Sequence, residues 1–277
     1  MSHHFKIEFQ TSPSDTFAAT ETYLRSDPVK LNLLVTILTN MIENGKQGRF
    51  WIVRNETDEI VGMGLQAPET RPMNITAMPP DAATQLAEFI HSQGFKLPGV
   101  GGDVDPSARF SGRWTELTNS GAKPTKALRI YEQGQFPWTG PANGQLKYFT
   151  EETVDLAIRW MLEFCTEIGE PLDDVEEFTR FRVSKGLMCY WDDGQPRCLL
   201  GHTAPLNDVV RIQAAYTPKD ARGNGYASNA VGTLSDQMAK DGVRRILYTD
   251  LENPTSNAIY RKLGYKAVCE TLIYSFE

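Results

Sequence analysis

A short glycine turn between a strand-like and a helix-like segment could bind an anion. The turn lies in DARGNGYASNA, residues 220–230, directly after the strand-like VVRIQAAYT. Gly223 and Gly225 leave the backbone without a Cβ in the way, and the helix that follows adds the positive end of its dipole. This combination favours a phosphate group at the turn.

Three interpretations of the turn compete at this point. A P-loop needs Lys and then Ser or Thr after its last glycine, but Tyr226 and Ala227 stand there. The dinucleotide pattern G-x-G-x-x-G is nearly met by Gly223, Gly225 and Ser228, but it requires a doubly wound sheet and an acidic residue about 20 positions on. Only 52 residues follow Gly225, and that region is basic. A turn that binds no ligand is the third interpretation.

A second motif lies about 30 residues downstream. It is NPTSNAIYRKLGY, residues 253–265, in which an Asn follows a strand-like segment and Tyr260 precedes a Gly-Tyr pair on a helix. The first motif has Arg222, Gly225 and Ala227 at the spacing Arg, two residues, Gly, one residue, Ala. In order and spacing, the two motifs resemble the signatures of the GNAT superfamily of acyl-CoA-dependent N-acetyltransferases.

The resemblance covers residues 146–277 and extends to 5–133 as a degenerate copy. It implies an α/β fold with a mixed sheet, the GNAT fold, in two tandem domains. The glycines and prolines of GQFPWTGPANGQ predict a boundary near residue 140. Residues 1–139 would then form a degenerate N-terminal domain, and residues 140–277 would form the acyl-CoA-binding catalytic domain.

Strand and helix patterns alternate around the two motifs. Residues 151–168 and 176–186 predict helices, and LMCYW and RCLLGHT predict a hairpin on either side of DDGQP. The segment DVVRIQAAYT predicts a strand, and its alternation puts four side chains on one face: Val210, Ile212, Ala214 and Tyr216.

The N-terminal half shows the same order of helix, hairpin, strand and helix. Its counterpart of the glycine turn, NITAMPPDAATQLAE, has prolines instead of glycines. We therefore expect this copy to have lost cofactor binding and to shape the acceptor pocket or to pack. The glycine-rich but acidic GVGGDVD, residues 99–105, is predicted to be a loop.

The resemblance implies acetyl-CoA as the cosubstrate, with its pyrophosphate on the glycine turn. The pantetheine arm would run along the preceding strand, where the sheet splays from RILYTD, and a backbone N–H near Ala215 or Tyr216 would polarise the thioester carbonyl. Asn253 would bind the arm or only cap the following helix. The implied cofactor-binding residues are Ala215, Tyr216, Thr217, Arg222, Gly223, Asn224, Gly225, Tyr226, Ala227, Asn253 and Ser256.

Acyl transfer to an amine needs an acid and a route for removing the ammonium proton. Tyr260 occupies the general-acid position of the resemblance, and packing is its alternative role. Members of the superfamily often have a Glu on the strand before the turn, but this strand has Arg211 and Gln213 instead. Asp250, His202 and a chain of water molecules are the candidates for the base.

Composition excludes some partners. The chain has 277 residues and a formal net charge of −7, without a long basic run, so we expect no nucleic-acid partner. The longest apolar run, residues 31–38, is too short to span a bilayer. The four cysteines are far apart, which favours reduced thiols in the cytoplasm over a disulfide framework or a metal site.

The predicted function is the transfer of an acetyl group from acetyl-CoA to a primary amine of a small molecule or a peptide. The excess of acidic residues favours a cationic acceptor such as a polyamine, an amine antibiotic, an amino acid or a lysine side chain. Two alternatives stay open, namely an acyl-CoA-binding sensor without efficient catalysis and a nicotinamide-dependent protein.

Overall fold

The structure is a computed structural model that describes residues 4–134, 138, 140 and 143–277. It divides into two compact units. The first unit holds residues 1–130, 249–252 and 268–277, and the second holds 131–248 and 253–267. The last ten residues of the chain thus complete the first unit. The predicted boundary near residue 140 falls among residues that the structure describes only in part, and it stays a prediction.

The helices and strands follow one another in two matching series. The first series is β1 (Lys6–Gln10), α1 (Pro13–Ser26), α2 (Asn32–Glu43), β2 (Arg49–Arg54), β3 (Ile60–Gln66), β4 (Met73–Ile75), α3 (Pro80–Ser92), β5 (Gly99–Asp103), α4 (Val104–Thr118) and β6 (Ala122–Gln133). The second series is β7 (Gln145–Tyr148), α5 (Val154–Ile168), α6 (Val175–Ser184), β8 (Met188–Asp192), β9 (Pro196–His202), β10 (Val209–Tyr216), α7 (Tyr226–Lys240), β11 (Arg244–Asp250), α8 (Pro254–Lys262) and β12 (Tyr265–Phe276).

Both series have the order strand, two helices, three strands, helix, strand, helix, strand. Strand pairing repeats as well, because β1 to β4 and β7 to β10 are joined antiparallel, whereas β4–β5 and β10–β11 are parallel. This repeat agrees with the predicted tandem arrangement. The predicted α/β class with a mixed sheet is confirmed.

The first unit has the strand order β1-β2-β3-β4-β5-β12-β6. Its core lies where α3 and α4 pack on the sheet, around Trp51, Leu86 and Phe110. Helix α3 begins at Pro80 and has Pro79 as its N-cap residue. Two backbone N–H groups are therefore missing where the matching part of the second unit has the glycine turn. That the N-terminal copy does not bind a phosphate there stays a prediction.

One prediction for the first unit is wrong. Residues 99–103 of GVGGDVD form strand β5, not a loop, and β5 pairs with β4 and β12. The glycines are needed because the neighbouring strands lie very close. A Cβ on Gly99 would lie 2.2 Å from the carbonyl oxygen of Tyr274, and one on Gly102 would lie 1.9 Å from that of Ile75. Glycine here permits close approach of neighbouring backbone.

The second unit has the strand order β6-β11-β10-β9-β8-β7 and a core on each face of this sheet. On one face, α7 and α8 pack on β8 to β11, with Val210, Ile212 and Leu247 among the buried side chains. On the other face, α5 and α6 pack on β8, β9 and the end of β10, where Leu199 and Tyr216 are buried. The predicted helices over 151–168 and 176–186 and the β8–β9 hairpin are confirmed.

Candidate active site

The glycine turn forms an open cradle at the start of α7. Gly223 and Gly225 have positive φ values of 82° and 77°, and a Cβ built on either would meet no atom within 4 Å. Gly225 is the N-cap residue of α7, and no side chain caps this helix end. The first N–H groups of α7 are thus available to an external acceptor. Backbone N–H groups at such a helix start are donors that anions bind in proteins.

Two side chains of the turn stabilise its shape. Arg222 donates from Nε to the carbonyl oxygen of Thr217 at 2.9 Å and from Nη2 to Glu167 Oε2 at 2.6 Å. Asn224 donates from Nδ2 to the carbonyl oxygens of Ala221 and Arg222, both at 3.1 Å. The charge of Arg222 is therefore shared with a carboxylate of α5, and among the described residues no side chain caps the N–H groups at the start of α7.

The first residues of α7 are fixed from outside the turn. Tyr226 donates from its hydroxyl to Asp193 Oδ2 at 2.7 Å, and the guanidinium of Arg197 lies 5.6 Å from its ring centre. Ala227 packs against the core under α7. These contacts hold the N-terminal end of α7 in place beside the turn.

Strand β10 contains a bulge just before the turn. Its pairing with β9 runs through Gln213–Gly201 and then skips to Tyr216–Leu199, so that β10 has one extra residue. Ala214 takes up the extra residue with a left-handed φ of 51°. The sequence gives no signal for this conformation, because alanine rarely adopts it.

The bulge overturns the predicted common face of Val210, Ile212, Ala214 and Tyr216. Val210 and Ile212 pack under α7 and α8, but Ala214 and Tyr216 pack against α5 on the opposite face. One inserted residue exchanges the two faces of all later positions because side chains alternate along a strand. Tyr216 consequently reaches α5, where its hydroxyl donates to Glu163 Oε2 at 2.8 Å.

The pairing of β10 with β11 stops before the bulge. The parallel register runs from Val209–Arg244 to Ile212–Leu247, whereas β10 continues to Tyr216. The pairing of β10 with β11 thus ends at the point where the two strands are predicted to splay apart. The predicted contacts of the pantetheine arm, Ala215, Tyr216 and Thr217, come after Ile212, which is the last residue of β10 that pairs with β11.

Tyr260 lies on α8 and is 9% exposed. Burial raises its pKa to about 12, while contact with the Ser256 side chain acts in the opposite direction. The rings of Tyr131 and Tyr265 lie 6.4 and 6.0 Å away between centres. Tyr260 and Ala215 contribute to the same apolar cluster. The phenol is therefore protonated throughout the neutral range and lies on the sheet face that carries Ala215.

Asn253 caps α8. Its Oδ1 accepts the backbone N–H of Ser256 at 3.0 Å, and its carbonyl oxygen accepts from the side chain of Asn257 at 2.8 Å. The capping role that the sequence left open is thus present. A role of Asn253 or Ser256 in binding the cofactor arm stays a prediction.

The two side chains predicted as candidate bases have other contacts. Asp250 Oδ1 accepts the backbone N–H of Glu252 at 2.9 Å, and Asp250 belongs to the first unit. His202 is buried, with Nδ1 at 2.9 Å from the carbonyl oxygen of Thr203. Burial lowers the pKa of His202, and so does the charge of Arg182. His202 is therefore neutral at pH 7, and the role of either residue as a base stays a prediction.

Two buried arginines lie on the face of β9 and β10 that is covered by α6. Arg211 is 7% and Arg182 4% exposed. Burial, together with the charge of Arg211, lowers the pKa of Arg182 to about 10. The sequence does not single out Arg182, and Arg211 is notable there only because it is on the strand where the superfamily often has a Glu. Arg211, a cationic residue on the strand where the superfamily often has an acid, was the available signal.

Strand β10 with its bulge is thus followed by an open glycine turn and by the uncapped start of α7, within an α/β fold. The family described as FR47-like protein matches residues 205–273, a segment that runs from just before β10 into β12. A comparison with curated proteins found no match.

Three solved structures share the fold along nearly the whole chain. An acetyltransferase of the GNAT family from Colwellia psychrerythraea has a TM-score of 0.67 at 13% identity, over 98% of this chain and 99% of its own. A GCN5-related N-acetyltransferase from Sphaerobacter thermophilus has a TM-score of 0.60 at 15% identity, over 98% of this chain and 94% of its own. A Drosophila protein has a TM-score of 0.63 at 12% identity, over 96% of this chain and 98% of its own. The chain has the GNAT fold, and the predicted resemblance to that superfamily is confirmed.

Among residues 4–134, 138, 140 and 143–277, no helix is long and apolar enough to cross a membrane. The same residues contain no group of three or more His, Cys, Asp or Glu side chains that could hold a metal ion.

Proposed function

We propose that the protein is an N-acetyltransferase that moves an acetyl group from acetyl-CoA to a primary amine. The observation that carries this proposal is the open turn at Gly223 and Gly225, which exposes the uncapped N-terminus of α7 directly after the bulged strand. Ala214 to Thr217 would bind the arm beyond the last β10–β11 pair, and the turn would bind the pyrophosphate. The described cysteines are free thiols, which supports a cytoplasmic location within this proposal.

The chain's own groups would carry out two tasks. A backbone N–H at the bulge would donate to the thioester oxygen as charge develops on it. Tyr260 would donate its phenolic proton toward the sulfur that leaves. The amine, after losing one proton, would form the new C–N bond as the C–S bond breaks. Its nitrogen would release a second proton to solvent as the amide forms. The sulfur would keep the proton from Tyr260, and Tyr260 would regain a proton from solvent, so that one proton is released overall.

Ligand-dependent stability tests the cofactor. We expect acetyl-CoA and CoA to raise the melting temperature of the full chain and NAD(P) to leave it unchanged. A ligand at 100 times its Kd adds about 2.7 kcal/mol to the free energy of unfolding. Stabilisation by NAD(P) alone would favour a nicotinamide-dependent protein and contradict the proposal.

Turnover with a panel of amines tests the reaction. Release of free CoA and formation of an acetylated amine, measured by thiol detection and mass spectrometry, support the transferase. The absence of acid side chains from β10 favours a second candidate, an acyl-CoA-binding sensor. Tight CoA binding without acetylation of any amine in the panel would favour that sensor.

A further inference from the structure

The two buried arginines beside the bulge lack a carboxylate partner. Arg182 donates from Nη2 to the carbonyl oxygen of His202 at 2.7 Å and more weakly to that of Leu187 at 3.4 Å. Arg211 has one side-chain hydrogen bond, a long one of 3.4 Å from Nε to Gln213 Oε1. Among the residues that the structure describes, neither arginine forms an ion pair with Asp or Glu. A buried charge without a partner is unfavourable in a folded protein.

The polar groups around the pair supply too few acceptors. Arg211 Nη1 is buried and has no hydrogen-bond partner among the described residues. If the amide of Gln213 is turned, its oxygen accepts from Arg182 at 2.8 and 2.9 Å instead of from Arg211. Because Gln213 has one oxygen for two guanidinium groups, at least one arginine stays without a strong acceptor in either orientation.

The surrounding residues are built to hold the two guanidinium groups. Arg182 lies against strand β9 at Gly201, where a Cβ would be 2.8 Å from its Nη2 atom. Its guanidinium stacks on Phe178 at 5.3 Å from the ring centre, and that of Arg211 stacks on Tyr248 at the same distance. A glycine that leaves space and two aromatic surfaces keep both cations in place without neutralising them.

The position of Arg182 and Arg211 indicates which molecule they would contact, namely the acceptor. Arg211 and Gln213 precede the bulge at Ala214, where the thioester oxygen would be bound, whereas the glycine turn that would bind the pyrophosphate follows the bulge, at 223–225. On the strand where the superfamily often has an acid, this chain has Arg211 and Gln213. An anion bound by the arginines would therefore belong to the molecule that is attacking the thioester.

We propose that Arg182 and Arg211 bind a carboxylate of the acceptor, so that the protein acetylates amines that carry a carboxylate, such as amino acids. This inference rests on the proposed function. A carboxylate offers several lone pairs to two planar guanidinium forks, which is the geometry that arginine recognises. The excess of acidic residues in the chain suggested a cationic acceptor, but the buried surface beside β10 has the opposite sign.

The two arginines would also help to deprotonate the acceptor amine in the absence of a carboxylate on β10 that could act as a base. Two guanidinium groups and one carboxylate leave a net positive charge beside the amine. A nearby positive charge disfavours the ammonium form and lowers its pKa. The neutral amine, which attacks the thioester, is then populated without a carboxylate on β10, and the proton is released to water.

Matched acceptor pairs test the proposal. The full chain is assayed with acetyl-CoA and with each amino acid and its amide, and β-alanine is compared with propylamine. We expect kcat/KM to be higher for the carboxylates by about tenfold or more, since hydrogen bonds to charged groups are worth about 1.5–3 kcal/mol. Arg211→Met should abolish this preference and leave the KM for acetyl-CoA unchanged. Arg211→Lys, which keeps the charge but loses the fork, should restore part of it.

Stability measured by urea unfolding separates binding from a structural role. In the absence of ligand, Arg211→Met should be at least as stable as the parent, because an unpaired buried charge is replaced by an apolar chain. The preferred amino acid should stabilise the parent and not the variant. Arg159→Met removes an exposed arginine of α5 and is the control, which should keep both the preference and the stabilisation. Arg182→Met is the second variant and should likewise lose the preference and the stabilisation by the amino acid, but its stability without ligand should fall because it also loses the hydrogen bond to the carbonyl oxygen of His202.

The outcomes distinguish the two proposals. Equal kcat/KM for acids and amides, or a preference that persists in both Met variants, would overturn the carboxylate site while leaving the transferase intact. Failure of CoA to stabilise the protein would overturn the proposed function. Stabilisation by an amino acid that is lost in Arg211→Met would still support an anion site in that case, since it does not depend on turnover.

Discussion

Arg222 of the glycine turn and Glu167 of α5 form an ion pair, with Nη2 2.6 Å from Oε2. Their side chains are 41% and 44% exposed. Exposed pairs of this kind contribute about 0–1 kcal/mol, so the pair exchanges readily with solvent or with a ligand. In the proposed function, Glu167 would therefore compete with the pyrophosphate of CoA for the charge of Arg222.

Replacing Glu167 by Gln should strengthen CoA binding. Loss of the competing carboxylate leaves Arg222 free to pair with phosphate, and we expect the Kd for CoA to fall by about two- to fivefold at low salt, within the range of an exposed ion pair. Titration calorimetry measures this. Glu177→Gln removes the same charge from an exposed position of α6 and should leave the Kd unchanged. An unchanged or weaker Kd in Glu167→Gln would count against a phosphate role for Arg222.

Gly225→Val should abolish stabilisation by CoA. A β-branched side chain at a φ of 77° is strained and also occupies the space above the turn. Gly169 offers a matched control, because it has a φ of 68° at the end of α5 and likewise no atom within 4 Å of a built Cβ. Each variant should lose about 1–2 kcal/mol of unfolding free energy. Only Gly225→Val should lose the CoA-dependent rise in melting temperature, and a rise that survives would contradict the cradle.

Tyr260→Phe should lower kcat by about 10² to 10⁴ while the KM for acetyl-CoA stays the same, because the phenolic proton is used only in the chemical step. Steady-state kinetics with a good acceptor measure the effect. Tyr265→Phe removes another buried phenol, which forms a 2.7 Å hydrogen bond with Ser235, and should reduce stability without lowering kcat. An unchanged kcat in Tyr260→Phe would leave Tyr260 as a packing residue.

The raised pKa of Tyr260 also predicts a loss of stability in alkali. The folded phenol has a pKa of about 12, against about 10 when unfolded. Its contribution is therefore fully present below pH 10 and is lost as the pH rises from about 10 to 12, because only the unfolded chain then releases the proton. Urea unfolding at several pH values should show this decline, and Tyr260→Phe should reduce its steepness. If the unfolding free energy declined equally steeply with pH in the variant, the titration of other groups would be responsible for the loss of stability.

The turn and its helix could be predicted because their signals are local. Gly223 and Gly225 determine the backbone of the turn whatever surrounds it, and the apolar spacing of α7 is readable within a few residues. The same holds for the cap at Asn253, whose side chain bonds three residues ahead.

The features that were missed depend on neighbours that are distant in sequence. Strand β5 looks like a loop until β4 and β12 lie so close that only glycine fits at Gly99 and Gly102. The relation between Arg182 and Arg211 arises because Arg182 of α6 lies against β9, the strand next to β10, and neither residue's immediate sequence indicates it. The bulge at Ala214 follows from the register with β9, which alternation along a single strand cannot reveal.

The bulge itself gives the last prediction. Ala214→Gly should keep activity and change the unfolding free energy by less than about 1 kcal/mol, because glycine adopts a positive φ freely but costs more entropy to order. Ala214→Val should lose about 1–3 kcal/mol and also reduce kcat/KM strongly, since strain there moves the N–H groups beside the thioester site. Asn119→Val introduces the same residue at a φ of 52° at the end of α4 and should lose stability only. If kcat/KM fell equally in both Val variants, its loss would reflect general destabilisation and the bulge would have no special part in acyl transfer.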